Sequence, residues 1–483
     1  MHILLVHNST CQIQNLRRDH FDQLRNLLCF EVDSGQSKTI YSTSNGVTQR
    51  KVIRLTQKKY LMNAKGFFPT GLLYKVVDFL VSHSLPYEEI DVREKPKLHS
   101  NPNINLDWNN DGTIDLGRGM RVTPHQWQID ASKAALLNNR GVICATTGSG
   151  KSIGIVLTLD LFKVKTLIVV PSLALKSQLT QTLQEFFGKK AVGPMVKRHA
   201  KFPITVENVD ALKVTDSVKG VDMLIIDEVH RSGAEGYREL NKILFKDIYF
   251  KFGFTATNFR SQPNELILLE SVLSNEIYKL DYQEAHKAGF IVPLEVFTLD
   301  FKRDKVHPKY SNYHNAYSEL VVKNESRNRM IVDLIKGLHL EGTSTLVLCK
   351  QIEHGETLRD MLALEGIDVP FAEGKSLVRD QDIEDFNNLK ERTLIGTTGV
   401  LGEGIDSRPT EYVIIVGCGK AKVQLAQNIG RVLRRFEGKK SGRVILINDI
   451  GAQFIGEHYL QCVKHIKDQY DLKPTEWKGI PTD

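Results

Sequence analysis

The segment Val142–Gly154, with the sequence VICATTGSGKSIG, has the residue types of a phosphate-binding loop. Gly148 and Gly150 would let the backbone turn so that its N–H groups converge on an anion. Ala145 replaces the usual first glycine, and its small side chain need not touch the phosphates. A chance glycine turn is the alternative to a nucleotide cradle. The predicted cradle comprises Ala145, Thr146, Thr147, Gly148, Ser149, Gly150, Lys151 and Ser152.

The last two residues of this loop, Lys151 and Ser152, suit ATP and a magnesium ion. Lys151 could reach the β- and γ-phosphates, and the Ser152 hydroxyl could bind Mg²⁺. A second group of candidate residues, both acidic, follows the apolar run MLII. There Asp227 could hold the same ion, and Glu228 could orient and deprotonate a water molecule. An Asp-Glu pair alone is often a solvated turn. Its position after a buried strand favours the catalytic interpretation.

A third group of candidate residues lies near the C-terminus, in the segment QNIGRVLRR. If this segment is helical, Gln427, Arg431 and Arg434 stand at i, i+4 and i+7 and share one face. Two guanidinium groups on one face suit the spread negative charge of a γ-phosphate. A basic surface helix is the alternative.

The elements that would hold these residues form two blocks of short apolar runs that alternate with helical stretches. Runs without polar alternation are typical of strands buried on both faces of a parallel sheet. Alternation with helices gives right-handed crossovers and α/β domains. The first block contains GVICA, TLIVVP, MLIIDE and YFKFGFTAT, and the second contains TLVLCK, TLIGTT, YVIIVG and GRVILIND.

The first hundred residues differ from both blocks. They predict a small α+β domain with two helices and a hairpin that turns at Asn45-Gly46. A polar stretch rich in Asn, Asp and Gly then predicts a linker. We therefore predict domains at 1–100, 121–290 and 291–483, with the linker at 101–120.

A basic segment lies within the N-terminal domain, between Lys38 and Lys75. It contains no acidic residue and has aromatic residues interleaved among the cations. A solvated basic face and a phosphate-contacting surface are equally good interpretations of this segment. Its cations are Lys38, Arg50, Lys51, Arg54, Lys58, Lys59, Lys65 and Lys75.

The composition is that of an ordinary globular protein with a lean toward polyanions. The 483 residues carry a net charge of +7 and give a sequence pI of about 8.8. We find no apolar run long enough to cross a membrane and no secretory leader, so we expect no membrane partner. Six dispersed cysteines without a C-x-x-C pair argue against a disulfide framework or a zinc site and favour a reducing cytoplasm.

Taken in order, these segments resemble the motifs of superfamily 2 nucleic-acid helicases over about residues 121–450. PHQWQIDA is similar to the Q motif, ATTGSGKS to motif I, VVPSLALKSQL to motif Ia, DEVH to motif II and GFTAT to motif III. TLVLCKQIEHGETL resembles motif IV, IGTTGVLGEGID motif V and QNIGRVLRR motif VI. The resemblance implies two tandem RecA-like parallel-sheet domains after the small α+β domain, with ATP bound in the cleft between the two.

The resemblance also implies roles for particular residues. Gln128 would read adenine, and Asp406 would approach the ribose of ATP. Arg431 and Arg434 would act as arginine fingers, and Lys151, Asp227, Glu228 and Gln427 would complete the catalytic set. The residues implied to couple ATP hydrolysis to movement are His230, Thr255 and Thr257. The residues implied to touch the nucleic-acid backbone are Pro171, Ser172, Thr397 and Thr398.

Within the superfamily, the chain is most similar to phage branch-migration helicases of the UvsW type. This likeness implies a monomeric, ATP- and Mg²⁺-dependent DNA motor that remodels forks, Holliday junctions or R-loops in the cytoplasm of a phage-infected bacterium. Its N-terminal domain would grip duplex DNA. An RNA helicase and a duplex-binding scaffold with a regulatory ATP site are the alternatives. The cations implied for the duplex grip are Arg50, Lys51, Arg54, Lys58 and Lys59.

Overall fold

The structure is a computed structural model. It describes residues 1–44, 47–116, 121–213, 218–229, 234–256, 263–303, 310–374, 378–401 and 407–479, with backbone alone at 39–44, 47–54, 234–235 and 263. The chain divides into two compact units. The first comprises Met1–Cys144 with Ser152–Lys279, and the second comprises Ala145–Lys151 with Leu280–Asp483.

The N-terminal residues form two separate β-sheets and two α-helices. A mixed four-stranded sheet has the order β5-β2-β1-β6, and β3 pairs with β4 in a long antiparallel ribbon. The predicted turn Asn45-Gly46 lies outside the described residues. The elements are β1 His2–Val6, β2 Thr10–Gln14, α1 Arg18–Leu27, β3 Cys29–Ser44, β4 Val47–Tyr60, β5 Phe67–Pro69, α2 Leu73–Ser82 and β6 Tyr87–Asp91.

The segment predicted as a linker contributes to a small three-stranded sheet, and Asp160 of the first unit anchors it. Leu106 N donates a hydrogen bond to Asp160 Oδ1 at 3.0 Å, and Trp108 Nε1 donates one to Oδ2 at 3.0 Å. The segment is therefore packed on the first unit over these residues, while the predicted domain boundaries stay predictions. The strands are β7 Asp107–Trp108, β8 Ile114–Asp115 and β9 Arg121–Val122.

The first unit contains a seven-stranded sheet of order β12-β13-β11-β14-β15-β10-β16, in which the described pairings among the first six of these strands are parallel. Every residue of β10, β11, β14 and β15 is buried, as apolar runs covered on both faces require. Its elements are α3 Gln126–Asn138, β10 Arg140–Ala145, α4 Lys151–Phe162, β11 Thr166–Val170, α5 Leu173–Phe187, β12 Val192–Gly193, β13 Ile204–Asn208, α6 Val209–Leu212, β14 Met223–Asp227, α7 Ala234–Ile243, β15 Phe250–Thr255, α8 Pro263–Leu273 and β16 Glu276–Leu280.

The second unit contains another seven-stranded sheet, of order β19-β20-β18-β21-β22-β17-β23, and all its pairings are parallel. The predicted fold of two tandem RecA-like domains after a small α+β domain is therefore confirmed. The elements are α9 Tyr282–Lys287, β17 Leu294–Phe301, α10 Tyr313–Tyr317, α11 Glu325–Leu340, β18 Thr345–Cys349, α12 Ile352–Leu364, β19 Phe371–Ala372, α13 Arg379–Asn387, β20 Thr393–Thr397, α14 Thr398–Leu401, β21 Tyr412–Ile415, α15 Lys422–Val432, β22 Gly442–Asp449, α16 Ile455–Tyr470 and β23 Thr475–Glu476.

The hydrophobic core of the first unit continues into the N-terminal sheets. Leu72 and Val76 belong to the same buried cluster as Leu269 and Val272 of α8. The core of the second unit lies between its sheet and the helices α11 and α12. Within the described part of the chain, no helix has both the length and the apolar character that crossing a membrane requires.

Candidate nucleotide site and nucleic-acid contacts

The predicted cradle is a tight loop between β10 and α4. Ala145 ends the strand and is fully buried, so its methyl group is part of the core packing. Gly148 and Gly150 have φ angles of +82° and +90°, which residues other than glycine rarely adopt. Ser149 Oγ donates a hydrogen bond to Thr146 O at 2.7 Å and closes the turn. The sequence placed its glycines where the backbone needs them.

The chemistry of this loop fits a bound phosphate. The helix α4 begins at Lys151, so the positive end of its dipole favours an anion at this loop. Lys151 Nζ folds back over the loop and donates to Ala145 O at 3.5 Å. Thr146 Oγ1 is buried and has no hydrogen-bond partner among the described residues. A phosphate oxygen is the kind of acceptor that such a hydroxyl and ammonium group can satisfy.

The loop residues Ala145–Lys151 belong to the second unit, in which they pack against α15. Thr147 Oγ1 donates to Ala426 O at 3.3 Å. A side chain at Gly430 would overlap Thr147, and one at Gly148 would lie 3.3 Å from Leu433 Cβ and 3.5 Å from Arg434 Cγ. The glycines of both segments therefore permit a close approach of the two backbones. The stem of Arg434 lies beside the phosphate loop.

The acidic pair lies at the carboxyl edge of the first sheet. In the β-sheet register, Cys144 stands opposite Thr255, and Asp227 stands opposite Phe254. The strands that lead to the loop, to Asp227 and to Thr255 therefore end at the same edge, where ligands of open α/β sheets bind. Sequence patterns predicted the strands, and the parallel register brings their ends together.

Glu228 has a strained backbone. Its φ is +48°, in the left-handed region, and its N–H donates to Asp227 Oδ1 at 3.0 Å. A non-glycine residue in this conformation costs about 1–2 kcal/mol. Val229 N then donates to Phe254 O at 3.2 Å and fixes the chain on β15. With this positive φ, the chain at Glu228 leaves the extended conformation of β14.

Gln128, the predicted adenine reader, is in the first turn of α3. Its Oε1 accepts a hydrogen bond from His125 N at 2.8 Å, and the side chain is buried. This contact belongs to a capping box, a role that the sequence interpretation did not include. Gln126, the other glutamine of the segment, donates to Asp130 Oδ1 at 2.9 Å on the helix surface.

The residues expected to touch nucleic acid follow strands of both sheets. Pro171 follows β11, and Thr397 ends β20. Ser172 Oγ caps α5 by accepting from Leu175 N at 3.4 Å. The carbonyl oxygen of Thr398 accepts from Gln424 Nε2 at 3.0 Å, which links the start of α14 to α15. Two of these four residues thus also have a structural role.

The helical interpretation of the third group of candidate residues needs a correction. The helix α15 ends at Val432, so Gln427 and Arg431 share a helical face, but Arg434 lies beyond the helix. The common face predicted for all three is wrong because the chain turns after Leu433, whose carbonyl accepts from Val292 N at 2.9 Å. Arg431 is buried in the last turn, where a cation also stabilises the helix dipole.

Two stretches of the chain match known protein families. Residues 121–260 match the family described as type III restriction enzyme, res subunit. Residues 326–436 match the helicase conserved C-terminal domain. The first stretch contains the phosphate loop and the acidic pair, and the second contains α15. The chain belongs to the superfamily 2 helicases.

Relatives of this helicase include viral proteins. A protein of Sulfolobus islandicus filamentous virus that carries the name helicase 22 is 23% identical over 504 residues, which cover 96% of this chain and 82% of that protein. The ATP-dependent DNA helicase uvsW of Enterobacteria phage T4 is 24% identical over 341 residues, which cover 66% of this chain and 67% of that protein. The helicase domains imply that the chain hydrolyses ATP and acts on nucleic acid.

A solved structure shows the same fold. It is S. cerevisiae Dbp5 bound to RNA and ADP BeF3, with a TM-score of 0.53 and 19% identity. The match covers 74% of this helicase and 90% of that chain.

Several predicted site residues of the helicase lie outside the described residues. They are His230, Thr257 and Asp406. For Arg50, Lys51 and Arg54, only the backbone of β4 is described. Lys58 and Lys59 are exposed near the base of the ribbon, where they stand opposite Glu31 and Phe30. The roles expected of all these residues stay predictions.

The structure of the helicase also shows a residue that the sequence motifs missed. Lys439 Nζ donates to Arg434 O at 3.0 Å and so supports the turn that carries Arg434. Burial, opposed by the nearby Glu411 carboxylate, lowers the pKa of Lys439 to about 7. It lies outside the predicted motif VI segment, and no sequence signal marks it.

Proposed function

We propose that this helicase is an ATP- and Mg²⁺-dependent DNA helicase or translocase that remodels branched DNA. The expected substrates are forks, Holliday junctions and R-loops, during recombination, repair or replication in a phage-infected bacterial cytoplasm. The phage relative named as a DNA helicase supports the choice of DNA. The single observation that carries the ATPase is the common edge at which β10, β14 and β15 end.

In this proposal, the loop residues bind the triphosphate. Lys151 and the loop N–H groups hold the phosphate oxygens, and Gln128 contacts adenine while Asp406 contacts the ribose. Ser152 and Asp227 would hold a Mg²⁺ ion, which neutralises phosphate charge when bound. Glu228 orients the attacking water and accepts its proton.

The second set of catalytic residues comes from the segment around α15. Arg431 and Arg434 would stabilise the charge that spreads over the transferred phosphoryl group. The role proposed for Arg434 is supported by the position of its aliphatic stem, which lies beside Gly148 of the phosphate loop. Gln427, with His230, Thr255 and Thr257, would couple the state of the nucleotide to the grip on DNA. ATP hydrolysis and product release would then advance the strand.

Contacts to DNA would be mainly to its backbone. Pro171 and Ser172 on one sheet, and Thr397 and Thr398 on the other, would bind phosphates without reading sequence. The ribbon of β3 and β4 would add electrostatic attraction to duplex DNA.

The decisive test compares substrates. We expect ATP hydrolysis to be stimulated more by DNA than by RNA of matched length, and strand displacement on forks, four-way junctions and R-loops to exceed that on linear duplexes. Greater stimulation by RNA, with displacement confined to RNA duplexes, would make the chain an RNA helicase instead.

Lys151→Ala tests whether the ATP site drives remodelling. We expect ATP hydrolysis and strand displacement to fall to background, because the ammonium that binds the phosphates is gone. The exposed Lys133 of α3 provides the matched control, and Lys133→Ala should retain both activities. Full strand displacement by Lys151→Ala would leave only the duplex-binding scaffold with a regulatory ATP site.

A further inference from the structure

The helix α8 packs directly on the strand that ends in Thr255. A side chain at Gly253 of β15 would lie 2.5 Å from Leu273 Cδ1 and 3.5 Å from Val229 Cγ1. Leu273 is fully buried, and Val229 directly follows Glu228. The glycine therefore allows Leu273 of α8 to approach the backbone of β15 closely, within the hydrophobic cluster that also contains Val229. A shift of that strand or of Val229 is therefore expected to displace α8, because a closely packed interior transmits strain.

The helix α8 also packs on the N-terminal residues, through Glu270, one helical turn before Leu273. A side chain at Gly71 would overlap the carbonyl oxygen of Glu270, so the two backbones are in close contact there. Lys75 Nζ lies 3.3 Å from Glu270 Oε2, and both side chains are largely buried. Burial, together with the Glu270 carboxylate, raises the pKa of Tyr74, whose hydroxyl is hydrogen-bonded to that carboxylate. The helix α8 thus contacts both the N-terminal residues and the strand β15 of the first unit.

The base of the ribbon is fixed to the first turn of α8 by a reciprocal pair of hydrogen bonds. Asn264 Nδ2 donates to Glu31 O at 2.7 Å, and Glu31 N donates to Asn264 Oδ1 at 3.3 Å. The amide of Asn264 thereby satisfies both backbone groups of one residue of β3, as a neighbouring strand would. This pair of hydrogen bonds ties the base of β3, and through it the ribbon, to α8.

We propose that α8 is the element that positions the β3–β4 ribbon according to the nucleotide site, with Asn264 and Glu270 as positioning residues. The inference rests on the proposed DNA-remodelling function, and it adds that the ribbon moves with the strand of Thr255. Asn264 and Glu270 then affect how much DNA is opened for each ATP. They do not affect the hydrolysis itself, since neither belongs to the proposed catalytic set.

Asn264→Ala tests this coupling on the full-length chain with a forked DNA duplex. We expect DNA-stimulated ATP hydrolysis to keep its kcat and KM, and strand displacement per ATP to fall about fivefold, the lower end of typical coupling between sites. Glu270→Gln keeps the shape of the side chain but removes the charge that pairs with Lys75, and it should act in the same direction. Asn138→Ala is the matched control, because Asn138 Nδ2 is bonded only within its own helix, to Ala134 O at 2.8 Å, among the contacts described.

The outcomes separate coupling from folding. Unchanged strand displacement per ATP in both variants would overturn the proposal, as would a parallel loss of hydrolysis and displacement with a lowered melting temperature. A wild-type chain that displaces no strand from any fork would instead refute the proposed function, so the two failures are distinguishable.

Discussion

At the scale of single residues, Arg434 shows how a motif and a helix differ. Its spacing from Gln427 suggested a common helical face, but the helix stops at Val432 and a turn carries Arg434 to Gly148. A residue on a turn depends on contacts that hold the turn, here those of Leu433 and Lys439. The role of Arg434 as an arginine finger stays a prediction of the motif, and the motif could not predict how Arg434 is held.

Arg434→Ala should lower the kcat of ATP hydrolysis about 10³-fold and leave the affinity for ATP nearly unchanged, because an arginine finger acts on transition-state charge. Steady-state kinetics with a direct nucleotide-binding assay would measure both quantities. Arg435→Ala is a matched control, since the neighbouring Arg435 donates to Gly289 O at 3.0 Å and has no role in the proposed site. Equal losses of binding and turnover in Arg434→Ala would contradict this role.

Lys439 should make stability depend on pH. Burial lowers its folded-state pKa to about 7, so the unfolded chain binds more protons than the folded chain between about pH 7 and about pH 10. Stability from this group therefore rises with pH across that window, and the full cost of burying the ammonium is present below it. We expect Lys439→Met to flatten this rise in melting temperature, whereas Lys440→Met should preserve it. A wild-type curve that falls over the window would show the opposite sign.

At the scale of elements, the ribbon shows what pairing adds to a charge pattern. The segment from Lys38 to Lys75 contains no acidic residue, yet β3 places Glu31 directly opposite Lys58. Residues opposite each other in an antiparallel pair share a face and interact. Lys59 stands opposite Phe30 and therefore has no acidic residue directly across the ribbon.

Lys59→Ala should therefore weaken DNA binding more than Lys58→Ala. Loss of one phosphate contact is expected to reduce the slope of log affinity against log salt by about 1. For Lys58→Ala we expect a smaller change, because the Glu31 carboxylate, which stands opposite Lys58 and accepts from Thr56 Oγ1 at 3.0 Å, lowers the positive potential at that position. Titration of a labelled duplex at several salt concentrations measures both slopes. The reverse order of the two variants, or no change in either, would show that the ribbon base does not contact phosphates.

At the scale of the whole molecule, the N-terminal residues and the first motor sheet share one hydrophobic core. The fully buried Leu72 and Val76 lie in the same cluster as Leu269 and Val272. A domain boundary near residue 100 predicts that the N-terminal residues can be removed without harm. A shared core predicts instead that their removal destabilises the rest of the first unit.

Deletion of residues 1–92 should strongly destabilise the first unit. Exposure of two buried aliphatic side chains costs about 3–6 kcal/mol, which is a large part of the roughly 5–15 kcal/mol that keeps a domain folded. Soluble yield and thermal unfolding of the truncated chain, beside those of the full chain, would measure the loss. A truncated protein that melts at the same temperature as the full chain would show that the shared core is unimportant.

The sequence by itself determined the strands, the chemical groups and the class of fold. Each buried strand is a continuous apolar run, and each phosphate-loop residue is specified by a local requirement for glycine, lysine or hydroxyl. These signals are local, so each can be recognised in its own segment without knowing which other segments of the chain it contacts. The eight apolar runs named from the sequence all became strands of the two parallel sheets.

Only the tertiary structure decided which distant residues meet. It ended α15 before Arg434, gave Gln128 and Ser172 capping roles, placed Lys439 under a turn and set Asn264 against Glu31. Each of these outcomes depends on contacts between segments far apart in the chain, and such contacts leave no periodic pattern in either segment alone. The physical reason is that packing and backbone hydrogen bonding are satisfied by the whole fold, whereas spacing records only the local chain.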